Sequence, residues 1–384
     1  MKKTSLFLFI IVGLGAITSW SFTATKPIDE EDIATLRKLY SSGDYNQWPK
    51  PSIDESVRAT FKDIGPLGDV PYPADNVPNE DKKNLGKILF FDPRLSLSNQ
   101  IACASCHEPQ LGWGDGKRVA NGHDRQTGTR NAMTLLNVAF YDKLFWDGRA
   151  NSLEHQARFP VQDHVEMNID LNVMEKKVQS FKGYESLFEK AFGSKEINLE
   201  KIFKAIASFE RTIVSPPSRF DLFVKGKPEL LKDEEVLGLH VFRTKARCIN
   251  CHNTPLFSDN QFHNDGQTMF GTVNEDLGLY HVTKKPSDVG KFRTPSLREA
   301  ANTGPWMHHG NFPTMKDVIF FYDKGNPAPI QKKYVGTRDS LLPTTDPILK
   351  KLDLTPKEID GLVAFMQAIT TTPRRINPPV NFPQ

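Results

Sequence analysis

Cys103-Ala104-Ser105-Cys106-His107 and Cys248-Ile249-Asn250-Cys251-His252 contain all four cysteines of the chain. Two thiols three positions apart can add to the vinyl groups on neighbouring pyrroles of one haem, and the histidine that follows is then held beneath the iron. The spacing therefore predicts two covalent haem c groups, with His107 and His252 as proximal ligands. A four-cysteine zinc site is the competing chemistry, but its cysteine pairs normally lie ~15–20 residues apart, and zinc would leave both trailing histidines idle. Reading each pair as a redox dithiol would require histidine to follow both by chance.

The 384 residues are enough for two cores, and one motif falls in each half. A net charge of +3 is too mild for a nucleic-acid surface, so none is expected as partner. Met1-Lys2-Lys3, an apolar run from Leu6 to Ile17 and small or polar residues up to Ala24 read as a signal peptide over residues 1–24. Its alternative, an uncleaved anchor, is weakened because Gly13 and Gly15 break the run and it falls short of ~20 apolar residues. Haem c is attached outside the cytoplasm, so a periplasmic location follows.

The elements that must hold the haems read as helices. A short one is expected near Glu31 to Tyr40, followed by an N-terminal extension over residues 25–78 whose Pro/Gly-rich part, Trp48 to Pro78, wraps the surface. Leu85, Ile88 and Leu89 recur at helical spacing until Asp92-Pro93, just ahead of the first haem motif. Ile202, Ile206, Phe209 and Ile213 give an amphipathic helix within Asn198 to Val214, which Ser215-Pro216-Pro217 ends. A helix over Asp233 to Ala246 leads into the second motif, and Thr314-x-x-Asp317 opens another through Tyr322. Thr355, Pro356 and Glu358 start the last one, and the tail from Pro373 reads as extended on the surface. Strand signals are sparse. The expected fold is all-α, with two cytochrome c-like domains over residues 79–217 and 218–384 and no repeat beyond the haem motifs.

Beyond these motifs the chain resembles the bacterial di-haem cytochrome c peroxidases, a family that includes the di-haem enzyme maturing methylamine dehydrogenase. The resemblance runs from about Asn79 to Thr371 and rests on ordered blocks: Leu89-Phe90-Phe91-Asp92-Pro93-Arg94, Gly128-Thr129-Arg130-Asn131, Phe145-Trp146-Asp147-Gly148-Arg149-Ala150, Arg293-Thr294-Pro295-Ser296-Leu297-Arg298 and both haem motifs. It implies a peroxidatic first haem. His123 matches the family's distal histidine, which caps the iron at rest in many members; Gln156 and Glu166 match the distal amide and carboxylate. A carboxylate there can take a proton from the inner peroxide oxygen and return it to the outer one. Trp146 matches the tryptophan between the haems, and Asn131, Thr303 and Pro305 match an interhaem calcium site, whose all-oxygen ligation suits a hard cation. His308 aligns near the interhaem region, with His309 where the family often has an acid.

At the second haem the chain departs from the axial methionine of donor-fed peroxidases. Ungapped counting from His308 places Tyr322 there, with Met307 and Met315 as fallback ligands. An anionic oxygen ligand favours ferric and higher oxidation states. The resemblance implies reduction of hydrogen peroxide to water with electrons from a small cytochrome c or copper protein. The alternatives are a di-haem oxidase acting on a protein or small molecule by long-range electron transfer through high-valent haem, and a non-catalytic electron carrier. Assembly as a homodimer stays open.

Overall fold

The computed structural model describes residues 30–325, 336, 338–372 and 376–384; the expected signal segment lies outside them. Eight helices of at least two turns carry the described structure: α1 (Glu30–Tyr40), α2 (Glu80–Phe91), α3 (Leu171–Ser180), α4 (Gly183–Phe192), α5 (Leu199–Glu210), α6 (Asp233–Arg243), α7 (Met315–Asp323) and α8 (Pro356–Ala368). The regular pairing among the described residues is one short antiparallel pair, β1 (Phe262–His263) with β2 (Phe292–Arg293), Phe262 lying opposite Arg293.

Caps set where these helices begin. The Asn79 side chain accepts from the Lys82 N–H at 2.7 Å and the Asn198 side chain from the Lys201 N–H at 3.0 Å. Thr314 with Asp317 and Thr355 with Glu358 close reciprocal boxes at α7 and α8. Asp92-Pro93 ends α2 as the sequence requires.

Each half is built on one helix crossing, and the two crossings repeat residue for residue. A Cβ at Gly86 on α2 would lie 1.8 Å from the Ala205 carbonyl oxygen of α5; a Cβ at Gly238 on α6 would lie 1.9 Å from that of Gly361 on α8. Only glycine lets these backbones meet. Four residues on from each contact, Phe90 meets Phe209 with ring centroids 5.3 Å apart, and Phe242 meets Phe365 at 5.4 Å. A third ring closes each cluster: Trp113 lies 6.0 Å from Phe209, and Phe257 6.1 Å from Phe365. The chain thus carries a structural repeat that its haem motifs alone do not reveal.

The two segments expected on the surface run there largely exposed, each pinned to a core by a few side chains. Ile33, Leu36, Tyr40, Trp48 and Ile64 of the extension are buried in the core around α6 and α8. In the tail, Ile376 and Phe382 pack against the other core, around α2 and α5, where the Gly183 N–H donates to the Gln384 carbonyl at 2.7 Å.

Candidate functional site

Both haem motifs form single 3-10 turns, Cys103–Ser105 and Cys248–Asn250, placed by the helix crossings behind them. His107 Nδ1 lies 3.1 Å from the Trp113 carbonyl, and His252 Nδ1 lies 3.1 Å from the Phe257 carbonyl. Each carbonyl accepts the Nδ1 proton, which leaves Nε2 as the ligating nitrogen. The carbonyls belong to the same aromatic residues that close the two ring clusters. Burial lowers the pKa of both imidazoles and so favours the neutral ring that a metal requires. The four cysteines are free of disulfides; Cys106 lies with His107 on the wall of one cavity, and Cys248 and Cys251 lie with His252 on the wall of the other.

The first cavity, which opens to solvent, is lined by Cys106, His107, Gln156 and Glu166. Burial, assisted by the charge of Asp163 and opposed by Arg149, pushes the Glu166 carboxyl up to about 7. Asp163 also shapes its loop, accepting from the Val165 N–H at 3.0 Å. His123 sits on a loop docked to the backbone of this segment: its N–H donates to the Glu166 main-chain carbonyl at 2.9 Å, and a Cβ on Gly122 would lie 2.0 Å from the Val165 carbonyl oxygen. Ala120 and Gly122 line the cavity, whereas His123, the expected distal residue, is on the wall of neither cavity and has its Nδ1 enclosed and unpartnered. Asp124 and Arg125 follow with φ of 52° and 60°, a left-handed pair that costs strain in non-glycine residues.

Trp146 lines both cavities. Its indole N–H donates to the Asn131 carbonyl at 3.0 Å, and its ring lies 6.3 Å from that of His308. His308 stacks on Phe292 at 3.7 Å, and burial together with neighbouring His309 lowers its pKa to about 3, so the ring is neutral. Asn131, Thr303 and Pro305 line the first cavity together. The Asn131 amide nitrogen donates to the Lys117 carbonyl at 2.9 Å, leaving its side-chain oxygen as the donor atom for a cation.

The second cavity encloses about 1280 Å³ and is lined by Cys248, Cys251, His252 and Tyr322, with Met307 and Met315 also on its wall. Tyr322 is presented by α7. Burial raises its pKa well above the ordinary phenol value, and nearby Asp265 adds to the shift. Without a cation in front of it, Tyr322 keeps its proton. Asp265 is itself pushed up to about 6 by burial. On the same wall His263 is clamped between Asp346 at 2.6 Å and Asp259 at 2.8 Å. Cys251, Asp259 and His263 approach a metal-ligating set, which a thioether at Cys251 would undo by removing its anionic sulfur.

Two buried charged residues were not legible as site residues. Glu210 falls on the apolar stripe of α5, four residues after Ile206, and that position was its signal; burial raises its pKa to about 8, and its Oε2 is unpartnered. Arg293 opens the Arg-Thr-Pro block, yet only the structure places it on the wall of both cavities.

A sequence profile of the family described as di-haem cytochrome c peroxidase matches residues 80–229. The chain is 39% identical over 336 residues to cytochrome-c peroxidase IdrP1 of Pseudomonas sp. (strain SCT), covering 80% of this chain and 85% of that protein. It is 37% identical over 317 residues to methylamine utilization protein MauG of Methylophilus methylotrophus, covering 81% and 89%. The crystal structure of a MauG-like protein associated with microbial copper homeostasis superposes with a TM-score of 0.71 at 30% identity, over 79% of this chain and 93% of that one.

Proposed function

This chain belongs to the di-haem cytochrome c peroxidase family, and from that premise we propose that it reduces hydrogen peroxide to water in the first cavity, with electrons passed on from the second. Each molecule of peroxide takes up two electrons and two protons and yields two waters. The observation that carries this reading is Glu166, a carboxyl on the wall of the first cavity whose pKa is raised to about 7. A group that titrates near neutral pH can both take and return a proton.

The haems, held covalently by Cys103 and Cys106 and by Cys248 and Cys251, supply the iron and its redox chemistry when bound. Glu166 takes the proton from the inner peroxide oxygen and delivers it to the outer one. Gln156 orients the peroxide from the same wall. His123, on the loop docked to the Glu166 backbone, is the residue that would hold the first iron at rest, and its loop would have to swing to bring it there and to release it. Trp146 is the π-system through which electrons cross. The Asn131 side chain and the Thr303 and Pro305 carbonyls would hold calcium, which would brace the wall they form. The crossings of α2 with α5 and of α6 with α8 support two cytochrome c-like domains within residues 79–217 and 218–384. The donor is a small cytochrome c or copper protein, and the setting is the periplasm.

Tyr322 supports a second reading. A phenolate on the second iron would hold oxidising equivalents rather than receive electrons easily, which suits oxidation of a substrate at a distance. Both readings face the same test. Glu166→Gln should slow single-turnover reaction with peroxide by about 10²–10⁴ while both haems are retained. The wild-type rate should rise with pH through about 7, where Glu166 ionises, and the variant should lose that inflection. A variant rate within a few-fold of wild type would remove Glu166 from the proton path.

A further inference from the structure

Arg130 and Asn131 follow one another in the first half, and so do Trp146 and Asp147. The two pairs hold each other side by side. The Trp146 indole N–H donates to the Asn131 carbonyl at 3.0 Å, and Arg130 Nη1 donates to the Asp147 carboxylate at 2.6 Å. The other edge of the same guanidinium turns to the second half: Nε and Nη2 donate to the two carboxylate oxygens of Asp276 at 2.6 and 2.8 Å. Among the described residues this is the one ion pair between residues 79–217 and 218–384. At 6 and 15% exposure the two carboxylates are little screened by water, so these bonds are not the loose kind found between surface charges.

Asp276 is itself firmly seated. Its N–H donates to the Thr268 carbonyl at 2.9 Å, and its Oδ1 also accepts from the Gly278 N–H at 2.9 Å. Trp146 meets the second half directly as well, through its carbonyl, which accepts from the Arg293 N–H at 2.8 Å. A guanidinium is planar and its donors form a rigid fork. Gripping Asp147 with one prong and Asp276 with the opposite edge therefore fixes an angle as well as a distance. That angle bears on the indole, because Asp147 is the next residue along the chain and Trp146 lines both cavities. Asp147 and Asp276 line neither cavity, so the clamp reaches around the site and not through it.

We propose that Arg130 is the bolt that seats Trp146 across the seam between the halves, and that electron passage from the second cavity to the first depends on Asp276 holding its far end. The inference rests on Trp146 being the path of the electrons, as in the proposed function. Arg130 acts through Trp146 and is a positioning residue. In the step it serves, one electron leaves the second haem and one arrives at the peroxide-oxidised first haem; no bond forms or breaks. Electronic overlap falls steeply with separation, so a shift of the indole by about an ångström is enough to slow that step by about 10–10²-fold.

The test uses the holoprotein with its second haem reduced, mixed with hydrogen peroxide in a stopped-flow spectrometer. The response of the first haem reports the reaction with peroxide, and loss of the ferrous band of the second reports the crossing. Asp276→Asn keeps an acceptor for the Gly278 N–H and removes the charge that grips Arg130. It should slow the crossing by about 10–10²-fold and leave the reaction with peroxide within a few-fold of wild type. Arg130→Lys keeps the charge but not the fork, and should slow the crossing as well. Hydrogen exchange gives a readout apart from turnover: the Arg293 amide should lose protection in Asp276→Asn while the amides of α2 and α5 keep theirs. Crossing at the wild-type rate in either variant overturns the bolt, and each variant is a sufficient test by itself. A slowing matched by a shift in the potential of the second haem also overturns it, since Asp276 would then act by charge alone. Trp146→Leu tells the two levels apart. If that variant passes electrons at the wild-type rate, Trp146 is not the path and the proposed route has failed; slow crossing in Trp146→Leu beside fast crossing in Asp276→Asn condemns the bolt alone.

Discussion

The two halves share a scaffold and differ in what reaches over it. In each, a glycine-mediated helix crossing supports a trio of aromatic rings, and a backbone carbonyl from that trio sets the tautomer of the haem histidine, at 3.1 Å in both. On the opposite side of the cavities the symmetry ends. The first half offers Glu166 and His123 from loops, with left-handed residues at Asp124 and Arg125. The second offers Tyr322 from inside α7. The proposed function puts chemistry that needs access in the first half and storage of charge in the second, and a loop in the one with a capped helix in the other suits it. The scaffold dictates that haem is bound; the overlying residues dictate what it does.

The largest effect separates the halves outright. Cys103→Ala with Cys106→Ala should remove one covalent haem and all peroxide turnover. Cys248→Ala with Cys251→Ala should remove the other haem, abolish donor-driven turnover, and leave a first haem whose spectrum still responds to peroxide. Counting haems that survive acid and organic extraction checks both. Two retained haems in either variant would break the attachment assignment.

A smaller effect probes the first half alone. If His123 caps the iron at rest, oxidised wild type should react slowly until one electron is added, and His123→Gly should remove that lag in stopped-flow traces. An oxidised wild type that reacts at once shows that the loop is not a resting cap. The corresponding change in the second half is electrochemical. Tyr322→Met should raise the potential of the second haem, by about 59 mV for each tenfold change in the ferric–ferrous ratio, because sulfur replaces an anionic oxygen. Met307 or Met315 found on the iron in wild type would reverse that assignment, since both lie on the same wall.

Which of this the sequence disclosed follows from how local each signal is. The haem motifs, the caps at Asn79, Asn198, Thr314 and Thr355 and the apolar stripe of α5 are local, and each can be read within a few residues. The extension is not local. Trp48 and Ile64 are buried, yet they sit in a proline-rich stretch with no helical or strand period. Their burial depends on α6 and α8, far along the chain. Gly86 and Gly238 read as weak points in helices, and only the facing backbones of Ala205 and Gly361 give them meaning. Arg293 lies inside a legible block, but its place on the wall of both cavities becomes visible only in the fold.

The smallest effects test whether the extension braces the second haem loop. Asn250, between the two haem cysteines, accepts from the Asp54 N–H at 2.7 Å and donates to the Ser52 carbonyl at 3.0 Å, and it is fully buried. Asn250→Ala leaves both groups of the extension unpaired and should cost about 1–3 kcal/mol, the usual penalty for buried polar groups that lose their partner. Asp54→Ala keeps its own N–H and loses only the carboxylate, which pairs with Arg247 at 3.0 Å and Lys350 at 3.6 Å near the surface. That change should cost under about 1 kcal/mol. The Ser56 backbone amide, chiefly, and its hydroxyl hold the Asp54 pKa below the ordinary carboxylate value. Its contribution is therefore present above that value and lost as pH falls through the lowered one. Denaturant unfolding near neutral pH and in acid gives both numbers. A larger loss for Asp54→Ala than for Asn250→Ala would mean that surface charge, and not the buried amide, fastens the extension to the second haem loop. An equal response of the first haem's peroxide kinetics to both variants would mean that the brace is not confined to one half.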